Sequence, residues 1–212
     1  TLDDLKELVR ECHKNNMRII LDAVFNHCGD GMFAFQDVIK NGEKSKFKDW
    51  FFIKSFPVDT KNVNYTTFGL MRLCSTMPKL NTANEEVTNF LLDVTEYWMK
   101  EAGIDGWRLD VSDEVDHVFW RKFRKRVKSI NPDALIVGEI QHEASPFLRG
   151  DQMDSIMNYP FKEAAIDFFA KREISPLRFE SELTSARMHY MNKINRSMFN
   201  LLDCHDTKRF LT

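Results

Sequence analysis

Five short apolar runs in this chain each stop on a charged or hydrogen-bonding side chain, and amphipathic helices separate most of them. The runs are "MRIILDAVF", "IDGWRLD", "ALIVGE", "DSIMNYP" and "SMFNLLD", rich in the large and β-branched residues of buried strands. Their ends carry Asp22 to His27, Asp110, Glu139, Asn158, and His205 with Asp206. Between them the spacing predicts helices. Leu2, Leu5, Val9 and Cys12 share one face of the first, and Thr1 with Asp4 has capping-box spacing. Thr82 and Glu85 have the same spacing ahead of a helix that turns Val87, Leu91, Val94 and Trp98 inward and closes near Gly103. A helix over 116–130 ends at Asn131-Pro132, another covers "FKEAAIDFFAKR", and Ser175 with Pro176 opens one that runs to about Arg196.

Strands alternating with helices predict a parallel sheet covered by helices. Polar groups after almost every strand favour a (β/α)8 barrel, whose sites gather at the C-terminal strand ends, over a doubly wound sheet, which binds at one switch point. Five strands do not close an eight-stranded barrel, so the expected fold is α/β, an incomplete (β/α)8 TIM barrel. Residues 28–82, with Gly29, Gly31, Gly42, Pro57, Gly69 and Pro78, are too long for a simple connection and read as an inserted subdomain.

Within "GWRLD" the strand alternation turns Arg108 and Asp110 to one side and Trp107 and Leu109 to the other. An Arg beside a carboxylate favours its ionised form, as a nucleophile or metal ligand needs, and equally makes a structural ion pair. Glu139, after a glycine at a strand end, is placed for a raised pKa and acid catalysis, a weak signal by itself. Together, Asp110 and Glu139 supply the charged nucleophile and protonated acid that retaining glycoside hydrolysis uses ~5–5.5 Å apart. His27 and His205 are the histidines at strand ends; a lone histidine there is more often structural. No G-x-S-x-G elbow supports a serine hydrolase, and Asp22, His27, Asp110 and His205 lack the spacing of a zinc site.

Other features are quieter. A net charge of −2 gives no broad pull toward nucleic acid or anionic membrane, and no apolar run is long enough to span a bilayer. Four scattered cysteines and no opening signal-peptide pattern point to free thiols and a cytoplasmic location. The basic run "RKFRKRVK" turns Phe123 and Val127 inward and reads as a solvated helix face. Trp50, Phe51, Phe52, Phe56, Tyr65 and Phe68 suit sugar stacking or the insertion's own core.

Taken together, the strand ends resemble the alpha-amylase family of glycoside hydrolases. "DAVFNH" (22–27), "GWRLDVSDE" (106–114), "VGEI" (137–140) and "LLDCHD" (201–206) match its four motifs in order. "MPKLN" (77–81), "HCGDGMFAFQDVIKNGEKSKFKDWF" and "LRGDQMDSIMNYPF" resemble the branch containing neopullulanase, cyclomaltodextrinase and maltogenic amylase. The resemblance covers nearly the whole chain. It implies Asp110 as nucleophile oriented by Arg108, Glu139 as acid/base, and Asp206 as stabiliser of the distorted sugar. It also implies His27 and His205 as sugar hydrogen-bonders, Asp22 as partner of Arg108, and Asp113 with Glu114 on the acceptor side. Asn26 would help fix the insertion, in some relatives through calcium; no cofactor is required. Residues 28–82 would correspond to domain B after the third strand, and 1–212 to the barrel from its second helix to just past its seventh strand. By itself such a segment is expected to fold poorly and lack activity.

The implied activity is retaining hydrolysis of α-1,4, with α-1,6, glucosidic bonds in cyclodextrins, pullulan, starch or maltooligosaccharides, accompanied by transglycosylation. The partner is the α-glucan substrate, with no nucleic acid or membrane, and the parent protein is expected to be a homodimer. Gln141 stands where the branch often has Trp, and Ser112–Glu114 where it often has Ala-Asn-Glu. Both departures bear on acceptor choice. The rival readings are an oligo-1,6-glucosidase or another transferase of the family, against which "MPKLN" argues, and a non-catalytic amylase-like barrel resembling the heavy subunits of amino-acid transporters. The latter lose catalytic carboxylates that this chain keeps.

Overall fold

The computed structural model describes residues 1–69 and 74–210. The chain opens with α1 (Leu2–Lys14), where the Thr1 side chain and Asp4 satisfy each other's backbone N–H groups in a capping box. Strand β1 (Ile20–Ala23) follows, then α2 (Phe33–Asn41) in the insertion. After α3 (Glu85–Ala102) come β2 (Gly106–Leu109), α4 (His117–Ile130), β3 (Leu135–Gly138) and β4 (Ser155–Ile156). The C-terminal part holds α5 (Tyr159–Ala165), which continues as a π-helical turn over Ile166–Ala170, then α6 (Pro176–Met188) and α7 (Asn192–Asn195).

All strand pairings are parallel, and the order β1-β2-β3-β4 follows the chain without reversal. A doubly wound sheet reverses direction at its switch point, so this uninterrupted progression favours the barrel. Trp107 and Leu109 pack into the core with Phe25, Phe119 and Phe123. The Phe25 ring meets Phe119 and Phe123 nearly edge-on, at centroid distances of 6.0 and 5.9 Å. At the opposite end of the sheet from the polar strand termini, Asp105 accepts hydrogen bonds from Ile19 N (2.8 Å) and Arg18 Nη1 (3.0 Å) and bonds His13 Nε2 (2.8 Å). Burial works against its charge, but these partners outweigh it and hold Asp105 below the ordinary carboxylate range.

Several expectations need correction. The helix expected from Thr82 is capped by Asn84, whose side chain accepts from the Glu86 and Val87 amides. The helix opened by Ser175 stops at Met188 and restarts at Asn192, and Asn195 Nδ2 caps the break by donating to the Arg187 and Tyr190 carbonyls. The expected fifth strand is reduced to a single parallel bridge between Met157 and Phe199. Beyond Phe199 the chain turns away: Asn200 N bonds Met198 O, while its side chain accepts from Asn158 Nδ2. In the basic run, Phe123 and Val127 are buried, and Arg121, Arg124, Arg126 and Lys128 pair with acids of neighbouring segments.

Within the 28–82 segment Phe35 packs against Phe51 and Tyr65, each at a centroid distance of 5.0 Å, and these rings are continuous with the core around Trp107 and Leu109. Residues 70–73 of the expected 28–82 segment lie outside the described residues. Trp50, Phe51 and Tyr65 are buried, while Phe68 faces the polar cleft.

Sheet closure is tightest at Gly106, where an added Cβ would lie 2.2 Å from the Leu135 carbonyl oxygen. Backbone cannot yield as a flexible side chain can, so Gly106→Ala is expected to cost about 2 kcal/mol or more in a denaturant melt of the intact protein. A variant as stable as the parent would contradict this packing.

Candidate active site

The polar groups that end β1, β2 and β3 meet around Arg108. In the parallel register Asp22 is level with Arg108, and Arg108 with Val137. With a side-chain period of two, Asp110 and Glu139 then project on the same face as Arg108, one step nearer the strand ends. Arg108 Nη1 donates to Asp22 Oδ1 (2.8 Å), Asp22 Oδ2 (3.1 Å) and Asp110 Oδ1 (2.7 Å). Arg108 Nη2 lies 2.7 Å from Glu139 Oε2 as a charge contact out of hydrogen-bond alignment. Burial disfavours the guanidinium charge, but the surrounding carboxylates outweigh it and push the Arg108 pKa further up.

Glu139 is buried and doubly held. Its Oε2 accepts from Val111 N (3.0 Å), and its Oε1 accepts from the Tyr159 hydroxyl (3.3 Å). Burial is the strongest influence and raises its pKa. The Val111 amide and Arg108 pull the other way, Asp110 and Asp206 add to the rise, and the result lies above the usual carboxylate value. Val111 reaches this position with φ 43° and ψ 48°, a left-handed conformation that a β-branched residue rarely adopts. Such strain persists only where the surroundings impose it.

The cleft over these strand ends has a volume of about 620 Å3. Asp22, Asp110 and Glu139 form one wall, and His27, His205 and Asp206 also line it. His205 Nε2 lies 3.2 Å from Asp206 Oδ2. Burial pushes the His27 pKa down against the pull of Asp110 and Glu114, which favours the neutral ring, and Phe68 packs beside that ring at 4.8 Å. Glu114 reaches the cleft, but its carboxylate accepts from Asn26 Nδ2 (3.0 Å) and Lys79 Nζ (3.3 Å). Asp113 bonds His142 Nε2 at 2.9 Å, joining the loop after β2 to the loop after β3. All eight expected site residues therefore share one cleft or its wall. Tyr159, Lys79, His142 and the Val111 amide were not anticipated. "NYP" and "MPKLN" drew attention to two of these segments, but no local pattern marks the Val111 backbone.

A search against family models matches residues 1–212 to the alpha amylase catalytic domain. The chain belongs to the alpha-amylase family. A cyclomaltodextrinase of Thermoanaerobacter pseudethanolicus is 58% identical over 208 residues, covering 98% of this chain and 36% of that protein. Neopullulanase 2 of Thermoactinomyces vulgaris is 58% identical over 212 residues, covering 100% of this chain and again 36% of the relative. A solved cyclomaltodextrinase structure superimposes with a TM-score of 0.95 at 50% identity, covering 98% of this chain and 36% of that one. These relatives place the chain in the cyclomaltodextrinase, neopullulanase and maltogenic amylase branch, and the four-stranded sheet is part of a (β/α)8 barrel. The chain spans about a third of the length of these relatives.

The Glu139 environment has a consequence for stability. A carboxyl whose folded pKa lies above its unfolded value favours the fold most at low pH, and that advantage is lost as pH rises through the folded pKa. Glu139→Gln removes this ionisation at similar shape. In the intact protein it should raise the melting temperature at neutral pH, with the gap closing below the ordinary glutamate pKa. A variant less stable than the parent at neutral pH would contradict the assignment.

Proposed function

We propose that the protein carrying this chain hydrolyses α-glucosidic bonds with retention of configuration. The observation that supports it most is one buried guanidinium in contact with both Asp110 and Glu139 at the floor of the cleft. Sharing Arg108 keeps the two carboxyl groups close enough for the ~5–5.5 Å spacing of a retaining pair. Glu139, with its raised pKa, is the acid and Asp110 the nucleophile.

In the first step Asp110 attacks the anomeric carbon while Glu139 gives its proton to the departing glycosidic oxygen, and the C–O bond breaks. A glycosyl ester on Asp110 results. In the second step Glu139 takes a proton from water, the oxygen of that water attacks the same carbon, and Asp110 leaves. A sugar hydroxyl replacing water gives transglycosylation. Asp206 accepts hydrogen bonds from sugar hydroxyls and stabilises the oxocarbenium-like charge, and the neutral ring of His27 holds the same sugar together with His205. Asp22 fixes Arg108 by accepting from Nη1, the same nitrogen that donates to Asp110. Asp113, Glu114 and Gln141 line the acceptor side.

The substrates proposed are cyclodextrins, pullulan, starch and maltooligosaccharides, at α-1,4 bonds and also α-1,6. Relatives named cyclomaltodextrinase and neopullulanase support this, as does a solved cyclic alpha-maltosyl-(1-->6)-maltose hydrolase from Arthrobacter globiformis at 39% identity and TM-score 0.92. A Bacillus subtilis relative named intracellular maltogenic amylase supports a cytoplasmic protein. No helix among the described residues is long and apolar enough to cross a membrane. Homodimerisation is carried over from the resemblance. The chemistry proposed requires no cofactor. Calcium fits poorly at the position the resemblance suggests, because Asn26 already gives its amide oxygen to Lys79.

Asp110→Asn and Glu139→Gln in the intact protein are expected to lower turnover of cyclodextrin, pullulan and starch by about a thousandfold or more, with sugar binding retained. Near-normal turnover in either variant would remove its proposed role.

A further inference from the structure

Lys79 sits where the insertion meets the strand ends. The antiparallel bridge between His27 and Lys79, with Leu80 N donating to Asn26 O (3.0 Å) and Cys28 N to Pro78 O (3.1 Å), sews the "MPKLN" segment to the loop after β1. This register brings the Lys79 ammonium over three oxygens. They are Asn26 Oδ1 at 2.5 Å, the Glu114 carbonyl at 3.1 Å and Glu114 Oε2 at 3.3 Å. Asn26 is almost wholly buried, and its Nδ2 donates to the same Glu114 carboxylate. Two separate segments thus converge on one positive charge supplied by a third.

An amide oxygen, a backbone carbonyl and a carboxylate oxygen are the hard donors that calcium takes. Two cations cannot share the centre. We propose that the Lys79 ammonium is the resident cation of this oxygen site, holding the insertion to the barrel in place of a calcium ion. The covalently supplied charge balances the Glu114 carboxylate and fills three acceptors at once, so the junction does not vary with the free calcium concentration. It also fixes Glu114 and positions the backbone beside His27, both of which line the cleft. The proposal does not depend on the catalytic assignments.

The test is thermal melting of the intact protein and two variants, in a chelator and in millimolar calcium. Lys79→Ala empties the centre and leaves its oxygens, whereas Lys79→Met fills the space without charge. Both variants are expected to melt several degrees below the parent in chelator. Calcium should restore much of the loss in Lys79→Ala, beyond any response of the parent, and little of it in Lys79→Met. Elemental analysis should then find one more calcium per chain in Lys79→Ala than in the parent. If Lys79→Ala is recovered folded only when calcium is supplied, the same conclusion follows. Melting of Lys79→Ala at the parent's temperature, equal calcium responses in all three proteins, or misfolding regardless of calcium would each overturn it.

Discussion

Arg108 is the interaction on which the site depends. Its guanidinium touches Asp22, Asp110 and Glu139, carboxylates delivered by three successive strands, and it is largely buried. Only a parallel sheet in the observed register puts these groups on one face. A one-residue slip of any strand would turn its carboxylate into the apolar layer with Trp107 and Leu109. Leaving a buried charge unpartnered costs roughly 3–5 kcal/mol, so the pairing resists that slip while the sheet holds the charges together. The core and the site therefore specify each other.

The same arrangement carries a local cost. Glu139 is buried near two other acids, and Val111 adopts a left-handed backbone so that its amide can reach the Glu139 carboxylate. Neither feature favours folding, and both fit the proposed role of Glu139 as an acid whose pKa is raised above the usual carboxylate value. The Tyr159 hydroxyl lies between Glu139 Oε1 and Cys204 Sγ, at 3.3 and 3.6 Å, and burial pushes its own pKa up. It stays a neutral donor, so the far side of the Glu139 carboxyl is held without a further charge.

Most of the fold was legible because its signals are local. Thr1 with Asp4, Gly103 and Asp116 mark helix ends where expected, and the alternation in "GWRLD" correctly separated Arg108 and Asp110 from the core residues. What was missed depends on distant partners. The strand expected over 197–203 shrank to one bridge because Asn200 finds better partners in Met198 and Asn158 than in a ladder. Asn84 outcompeted Thr82 as a cap because its side chain reaches two amides. The pairing of Arg108 with Glu139, not only Asp110, needed the register of β2 on β3, which no single segment encodes. Lys79 was invisible for the same reason, since its oxygens come from residues 53 and 35 positions away.

The most direct test of the account is covalent trapping on the intact protein with a fluorinated α-glucosyl substrate whose glycosyl ester hydrolyses slowly. After proteolysis and mass spectrometry, one sugar should be found on the peptide containing Asp110, and its yield should collapse in Asp110→Asn. A sugar attached to Glu139 or Asp206, or turnover that inverts the anomeric configuration with no trapped ester, would contradict it.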